Sequence, residues 1–407
     1  MRIVLATFGS RGDVQPILAL ALALGSAGHD VLVAGPPEKA AWAKELGCNY
    51  HPLGRNITAF IDGLKNAHSF VPAIEFVKFV RYEAISQFNS LPDIIKGADL
   101  VIGASLMFGL ASIAESMNIP YRYIVFTPQL LKSGFHTPFM LKHQGLPMWY
   151  NRAAWSMVTF LDRFNLTRLI NIERKKVGLK PIIDAWANIM GDNIIVASDP
   201  VVAKVPTDVG IAYTQTGYLH LEQPEKGNLE LEEFLASGQP PVYAGFGSMP
   251  KEDQISNIPM MAQAAREAGQ RIIIAKFWDD FSGLFSSNDI FYIRRYSHLK
   301  LFPRMAAVIH HGGAGTTASC TASGVPQIII PHVLDQYYWG NQVYKAHLGA
   351  KPIWRSKISA KKITTAIDEC LYSHLTIETT KKAAKEIDIK LSIENAVKNI
   401  ERRSFMP

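Results

Sequence analysis

The residues whose types and spacing suit chemistry lie in one run, His310-His311-Gly312-Gly313-Ala314-Gly315-Thr316-Thr317, at the end of the apolar stretch 307–310. A strand that turns through glycines into a helix leaves free backbone N–H groups and the positive helix end facing one spot, which suits a diphosphate. Gly313 and Gly315 permit close backbone approach, Thr316 adds a hydroxyl donor, and His310 at the strand end can donate to a phosphate oxygen. The same residues satisfy the dinucleotide pattern G-x-G-x-x-A from Gly313 to Ala318, with Asp335 further on, so NAD is an open alternative on the glycines alone. A second glycine turn, Gly9-Ser10-Arg11-Gly12-Asp13, follows the apolar stretch 2–6. Asp13 there is either a helix cap or a base. Spacing alone favours capping, while burial beside an apolar ligand would raise its basicity above that of an ordinary Asp.

The elements that must carry these turns form two αβ series. Short apolar strands are expected at 2–6, 30–34, 100–103, 121–126 and 193–197, alternating with helical stretches, the first helix starting near Pro16. A second series at 242–245, 271–275, 290–293, 307–310 and 327–331 follows the loop-like tract 217–241. Both series begin alike, with Phe8-Gly9-Ser10 and Phe246-Gly247-Ser248 just after a first strand. The expected fold class is α/β: two facing, doubly wound, parallel-sheet domains at 1–218 and 219–385, with a C-terminal helix near 386–407 packing back on the first.

Composition narrows the classes. With 407 residues, 48% of them hydrophobic and 19% charged, the chain should fold throughout as two domains. Three distant cysteines, Cys48, Cys320 and Cys370, argue against a disulfide framework or structural zinc, and a reducing, cytoplasmic setting is expected. The longest apolar run, 100–114, is too short to span a bilayer, and Arg11 and Asp13 interrupt any signal-peptide core. A net charge of +7 suits an anionic ligand or surface, but no basic-aromatic nucleic-acid motif accompanies it.

Residues 310–317, with Gly324-Val325-Pro326 and Asp335-Gln336, resemble the donor signature of glycosyltransferase family 1, the UDP-glycosyltransferase superfamily, and specifically its sterol-glucosyltransferase and bacterial antibiotic-glycosyltransferase branch. Gly9 to Pro16 and Phe246-Gly247-Ser248-Met249 match the same branch. The resemblance implies the GT-B fold and an inverting transfer of a hexose to a hydroxyl of a hydrophobic acceptor. It implies that His310 and residues 312–316 hold the donor diphosphate, that Ser248 reaches it from the facing loop, and that Asp335 and Gln336 bind the sugar hydroxyls. Tyr296 and His298 would line the base pocket. Ser10, Arg11 and Gly12 would border donor or acceptor, and Asp13, standing where relatives carry a histidine, would be the general base. The aspartate that supports that histidine in plant relatives is replaced near Ser105, and a glutamate that binds ribose is replaced by Ala318.

UDP-glucose is the favoured donor, with dTDP-sugars the alternative, and no cofactor or metal is called for. No Asp-x-Asp triplet, a common metal holder in sugar transferases, occurs in the chain, and the helix end after Gly315 can stabilise a leaving diphosphate without a cation. Residues 127–179 are rich in aromatics with interleaved Arg and Lys, and Phe135, His136 and Trp149 are the acceptor candidates there. The same stretch suits peripheral contact with an anionic membrane. An NAD-dependent oxidoreductase, a UDP-sugar epimerase on a related double fold, and a non-catalytic nucleotide-sugar binder are the competing classes.

Overall fold

The computed structural model describes residues 1–57, 71–223, 227–247, 251–275, 287–294 and 296–404 of the chain. The first series comprises β1 (Arg2–Phe8), α1 (Arg11–Ser26), β2 (Asp30–Gly35), α2 (Ala40–Glu45), β3 (Asn49–Pro52), α3 (Val71–Ile95), β4 (Leu100–Ser105), α4 (Leu110–Ser116), β5 (Tyr121–Val125), α5 (Met148–Phe164), α6 (Leu166–Lys176), α7 (Ala185–Met190), β6 (Asn193–Val196) and β7 (Ala212–Gln215). The second comprises α8 (Leu229–Ala236), β8 (Val242–Gly245), α9 (Lys251–Glu267), β9 (Ile272–Ala275), β10 (Ile290–Ile293), α10 (His298–Leu301), β11 (Ala307–His310), α11 (Ala314–Ala322), β12 (Gln327–Ile329), α12 (Gln336–Lys345), α13 (Ala360–Tyr372), α14 (His374–Glu386) and α15 (Ile389–Ser404).

Two parallel sheets result, ordered β3-β2-β1-β4-β5-β6-β7 and β10-β9-β8-β11-β12. Each is buried on both faces, as continuous apolar strands require. Val4, Ala6 and Phe8 enter one core cluster while Ile3 and Leu5, pointing oppositely, enter another. In the second sheet Val242 and Ala244 face one cluster and Tyr243 the other. Strand order reverses between β1 and β4 and between β8 and β11, and ligands of such sheets bind at the carboxyl ends of the strands at that crevice.

The start of α1 departs from the expectation, and two edge strands stand where none was expected. Helix α1 begins at Arg11, not near Pro16, because Ser10 and Asp13 close a capping box at its start and Pro16 sits inside the helix. Strands β3 and β7, Asn-Tyr-His-Pro and Ala-Tyr-Thr-Gln, are largely solvent-facing sheet edges with no apolar run to announce them. The helical tail is two helices broken at Ile387-Asp388; Ala396 and Ile400 of α15 join the core beneath α1, and Arg122 donates to the carbonyl of Asn399 at 2.7 Å.

The two lobes touch directly. Val202 and Ala203, which follow β6, share a core cluster with Tyr338, Trp339 and Val343 of α12.

Candidate active site

The first half of the site grows from the ends of β1 and β4. Their parallel register sets Phe8 opposite Ser105, so the turn after β1 lies beside the end of β4. Asp13, in the first turn of α1, receives three hydrogen bonds there: Ser10 N–H at 2.7 Å and Ser10 Oγ at 2.9 Å to Oδ2, and Ser105 Oγ at 2.7 Å to Oδ1. Gly9 is required next to it, since a Cβ would stand 2.3 Å from Asp13 Oδ2. Ser105 holds its hydroxyl in place from a left-handed backbone (φ 57°). Burial raises the Asp13 carboxyl above the ordinary Asp value, opposed by the serine hydrogen bonds. Asp13 therefore both caps the helix and stands as a desolvated carboxylate at the mouth of the sheet.

The second half grows from β8 and β11. His310 pairs with Gly245 across the sheet, which brings the turn after β11 beneath the turn after β8. Gly312 takes φ 88°, reversing the chain into α11, whose N-cap Gly313 offers no side-chain cap to the first-turn N–H groups. His311 fills the space between the turns: a Cβ at Gly313 would stand 2.5 Å from its Nε2, and one at Gly247 3.1 Å from its Cε1. Its Nδ1 is buried with no hydrogen-bond partner among the described residues. Burial, with His332 and His298 nearby, lowers its pKa to about 4, so the ring is neutral near pH 7. An uncapped helix start beside a neutral, unpartnered imidazole can take up an anion.

Tyr218 joins the halves. A Cβ at Gly315 would lie 2.7 Å from its hydroxyl, and burial, together with the charge of Asp13, raises its pKa. Asp335, at the head of α12, accepts from Trp339 Nε1 at 3.1 Å and is pushed up to about 7 by burial and by the negative charge of Asp13. Arg11, held by Gln15 and stacked 4.2 Å over Trp42, adds to the burial that lowers His298 on the other lobe. Asp13 and the α11 turn thus meet at Tyr218. Beside it lies a cavity of about 10 Å³, lined among others by Asp199 and Thr317, whose Oδ2 and Oγ1 have no partner among the described residues. Among the described residues no group of three or more His, Cys, Asp or Glu could hold a metal.

Several expected contacts fall elsewhere. His310 is fully buried, with Nε2 on Gln327 Oε1 at 3.1 Å and Nδ1 accepting from Gly312 N–H at 3.1 Å, so both nitrogens are engaged in holding the turn. The buried ring nitrogen without a partner in this turn is Nδ1 of His311. Gln336 Oε1 accepts from His332 and Val333 N–H at 2.8 and 3.1 Å, closing its own turn, so that oxygen is not presented to a sugar. His136 is shut between Trp155 and Tyr338 of the other lobe, with burial lowering its pKa to about 4, and makes a lobe contact rather than an acceptor surface. Phe135 and Trp149 are exposed. His298 stacks 4.4 Å on Phe302, and Tyr296 packs on the same cluster. Ala314 and Thr316 open the first turn of α11, and Ser10 and Gly12 border Asp13. Ser248 lies outside the described residues. Tyr218 and Trp339 carry no local signal as site residues, because only lobe packing brings them there, while Ser105, noted above only as a replaced aspartate, is brought to Asp13 by the pairing of β1 with β4.

Residues 3–135 match the glycosyltransferase family 28 N-terminal domain, and residues 289–401 match the erythromycin biosynthesis protein CIII-like C-terminal domain. The vancomycin aglycone glucosyltransferase of Amycolatopsis orientalis is 34% identical over 86% of this chain and 85% of its own. The chain belongs to the antibiotic and sterol branch of the GT-B glycosyltransferases. A sterol 3-beta-glucosyltransferase of Arabidopsis thaliana, UGT80B1, is 27% identical over 90% of this chain, which spans 62% of that longer protein. The glycosyltransferase VinC, solved in complex with dTDP, has the same fold, with a TM-score of 0.74 at 18% identity over 99% of both chains. This glycosyltransferase therefore acts on nucleotide-sugar and acceptor substrates, and the oxidoreductase reading of its glycines falls away. No helix among its described residues is long and apolar enough to cross a membrane.

Proposed function

We propose that this glycosyltransferase moves a hexose from a nucleoside diphosphate sugar, UDP-glucose first and a dTDP-sugar second, to a hydroxyl of a hydrophobic acceptor such as a sterol, lipid, polyketide or phenol, with inversion and without a metal. The observation that carries this reading is that Tyr218 lies against Gly315 of α11 and within electrostatic reach of Asp13, so the two turns lie close together across it. The acceptor oxygen attacks the anomeric carbon as its proton passes to Asp13, and the bond to the diphosphate oxygen breaks with its electron pair leaving on the nucleotide. The growing negative charge meets the first-turn N–H groups of α11 and the neutral His311, which supply in the second lobe what a cation supplies in other designs. Asp335, half-buried and within electrostatic reach of Asp13, binds the sugar hydroxyls in this reading. The glucose transfer in the name of the vancomycin relative supports the donor sugar, and the dTDP held by VinC supports the alternative base.

The test is a donor-hydrolysis screen over UDP- and dTDP-sugars, then transfer to sterol, lipid and phenolic hydroxyls with the anomeric configuration read by NMR. Inverted product, full turnover in EDTA, and an Asp13→Asn variant that binds donor but does not transfer are expected. Retained configuration, or an Asp13→Asn variant with undiminished transfer, overturns the mechanism.

A further inference from the structure

Helix α5 is anchored by one face and bare on the other. Asn151 is buried and donates to the carbonyls of Gly134 and Leu146 at 2.8 and 3.1 Å, and Trp155 Nε1 donates to the carbonyl of His136 at 3.1 Å. On the opposite side Trp149, Met157, Phe160 and Phe164 are 72%, 58%, 54% and 64% exposed. Their spacing puts all four on one stripe of a 3.6-residue helix, with Leu161, also exposed, at its border. Such a stripe along four helical turns is larger than the scattered single apolar residues that a protein surface ordinarily shows.

The exposed charges that α5 and α6 themselves carry beside the stripe are of one sign. Arg152, which pairs with Asp208 at 3.7 Å, and Arg163 lie within a helical step of it on one flank, and Arg168 and Lys175 follow on α6. The acidic residues of the two helices are turned away from solvent: Asp162 accepts from Thr167 at 3.0 Å, and Glu173 is buried against Lys176. Every exposed charged side chain on α5 and α6 is therefore a cation. The chain as a whole carries +7.

We infer that the outer face of α5 and α6 docks on an anionic lipid surface, with Trp149, Phe160 and Phe164 entering the headgroup–acyl boundary while the flanking arginines and lysines meet the phosphates. An amphipathic helix with aromatic residues on one face and Lys or Arg beside it lies in a membrane interface without spanning it. A protein partner would not require the uniform positive flank; an anionic bilayer does. This docking is independent of which donor or acceptor the cleft takes.

Flotation of the full chain with vesicles of phosphatidylcholine, alone or mixed with phosphatidylglycerol, tests it. Binding to the mixed vesicles only, released by high salt, is expected. Phe160→Ser with Phe164→Ser should weaken that binding by about tenfold or more, as lost apolar insertion dictates. Arg163→Glu with Arg168→Glu should weaken it by about fivefold per charge. Both pairs are on the surface, so their melting temperatures should match that of the parent chain. No binding to the anionic vesicles, or binding indifferent to both pairs, overturns the inference. A dimer in sedimentation velocity that the serine pair dissolves also overturns it, by assigning the face to a second copy of the chain.

Discussion

Replacing Ser105 by Ala removes one of the three hydrogen bonds to the Asp13 carboxylate, the 2.7 Å contact to Oδ1, and leaves the two from Ser10 in place. The lost bond favoured the charged form, so the Asp13 pKa, already raised by burial, moves further up. A hydrogen bond to a charged group is worth about 1.5–3 kcal/mol, which moves a titration midpoint by about one to two pH units. The assay is the pH dependence of kcat/KM with a fixed donor and acceptor. The acid limb should move to higher pH by about one unit or more, while the plateau above it stays near the parent value because a more basic Asp13 offsets some loss of positioning. The left-handed backbone at Ser105 adds strain to Ala, so Ser105→Gly serves as the unstrained counterpart and should give the same displacement. An acid limb unmoved in both variants would refute the reasoning, because the group titrating in that limb would then not be Asp13.

Three further outcomes follow from the same geometry. Gly315→Ala should cut kcat/KM by about tenfold or more, the contact at 2.7 Å to the Tyr218 hydroxyl having to be relieved by shifting the cleft, and Tyr218→Phe in the same chain should restore part of it. His310→Ala should lower thermal stability by about 2–4 kcal/mol as the Gln327 and Gly312 contacts are lost, whereas His311→Ala should leave the melting temperature nearly unchanged and weaken nucleoside diphosphate binding by about tenfold in calorimetry. Asp199, pushed up to about 6 by burial, binds its proton more tightly folded than unfolded, so its contribution is full below the ordinary Asp value and is lost as pH rises through about 6. Asp199→Asn keeps an oxygen for the Tyr218 N–H, and should flatten the melting curve across that window and stabilise the chain at about pH 8 by up to about 3 kcal/mol.

Much of the fold is legible in the sequence because its signals are local. Strands β8, β10 and β11 stand where the apolar runs 242–245, 290–293 and 307–310 place them, and a parallel sheet buried on both faces writes itself as such runs. The glycine turns after β1 and β11 are equally plain. The start of helix α1 is obscured because Pro16 is the louder signal, while the capping box of Ser10 and Asp13 needs a hydrogen bond to be recognised. The edge strands β3 and β7 are invisible because only pairing with β2 and β6 makes them strands.

By itself, then, the sequence determined two doubly wound lobes, a phosphate-suited turn at 310–316 and a carboxylate at 13 just after the first strand, since each depends on residue type and near neighbours. Tertiary structure decided the rest. Which of His310 and His311 is tied up was decided by the fold: β12 sets Gln327 two residues along from the partner of His310, close enough to bond its ring, while His311, just past the end of β11, lies beside Gly247. The partners of Asp13 were decided in the same way: Ser105 lies 92 residues away and Tyr218 further still, and only the pairing of β1 with β4 and the meeting of the lobes bring them to one carboxylate.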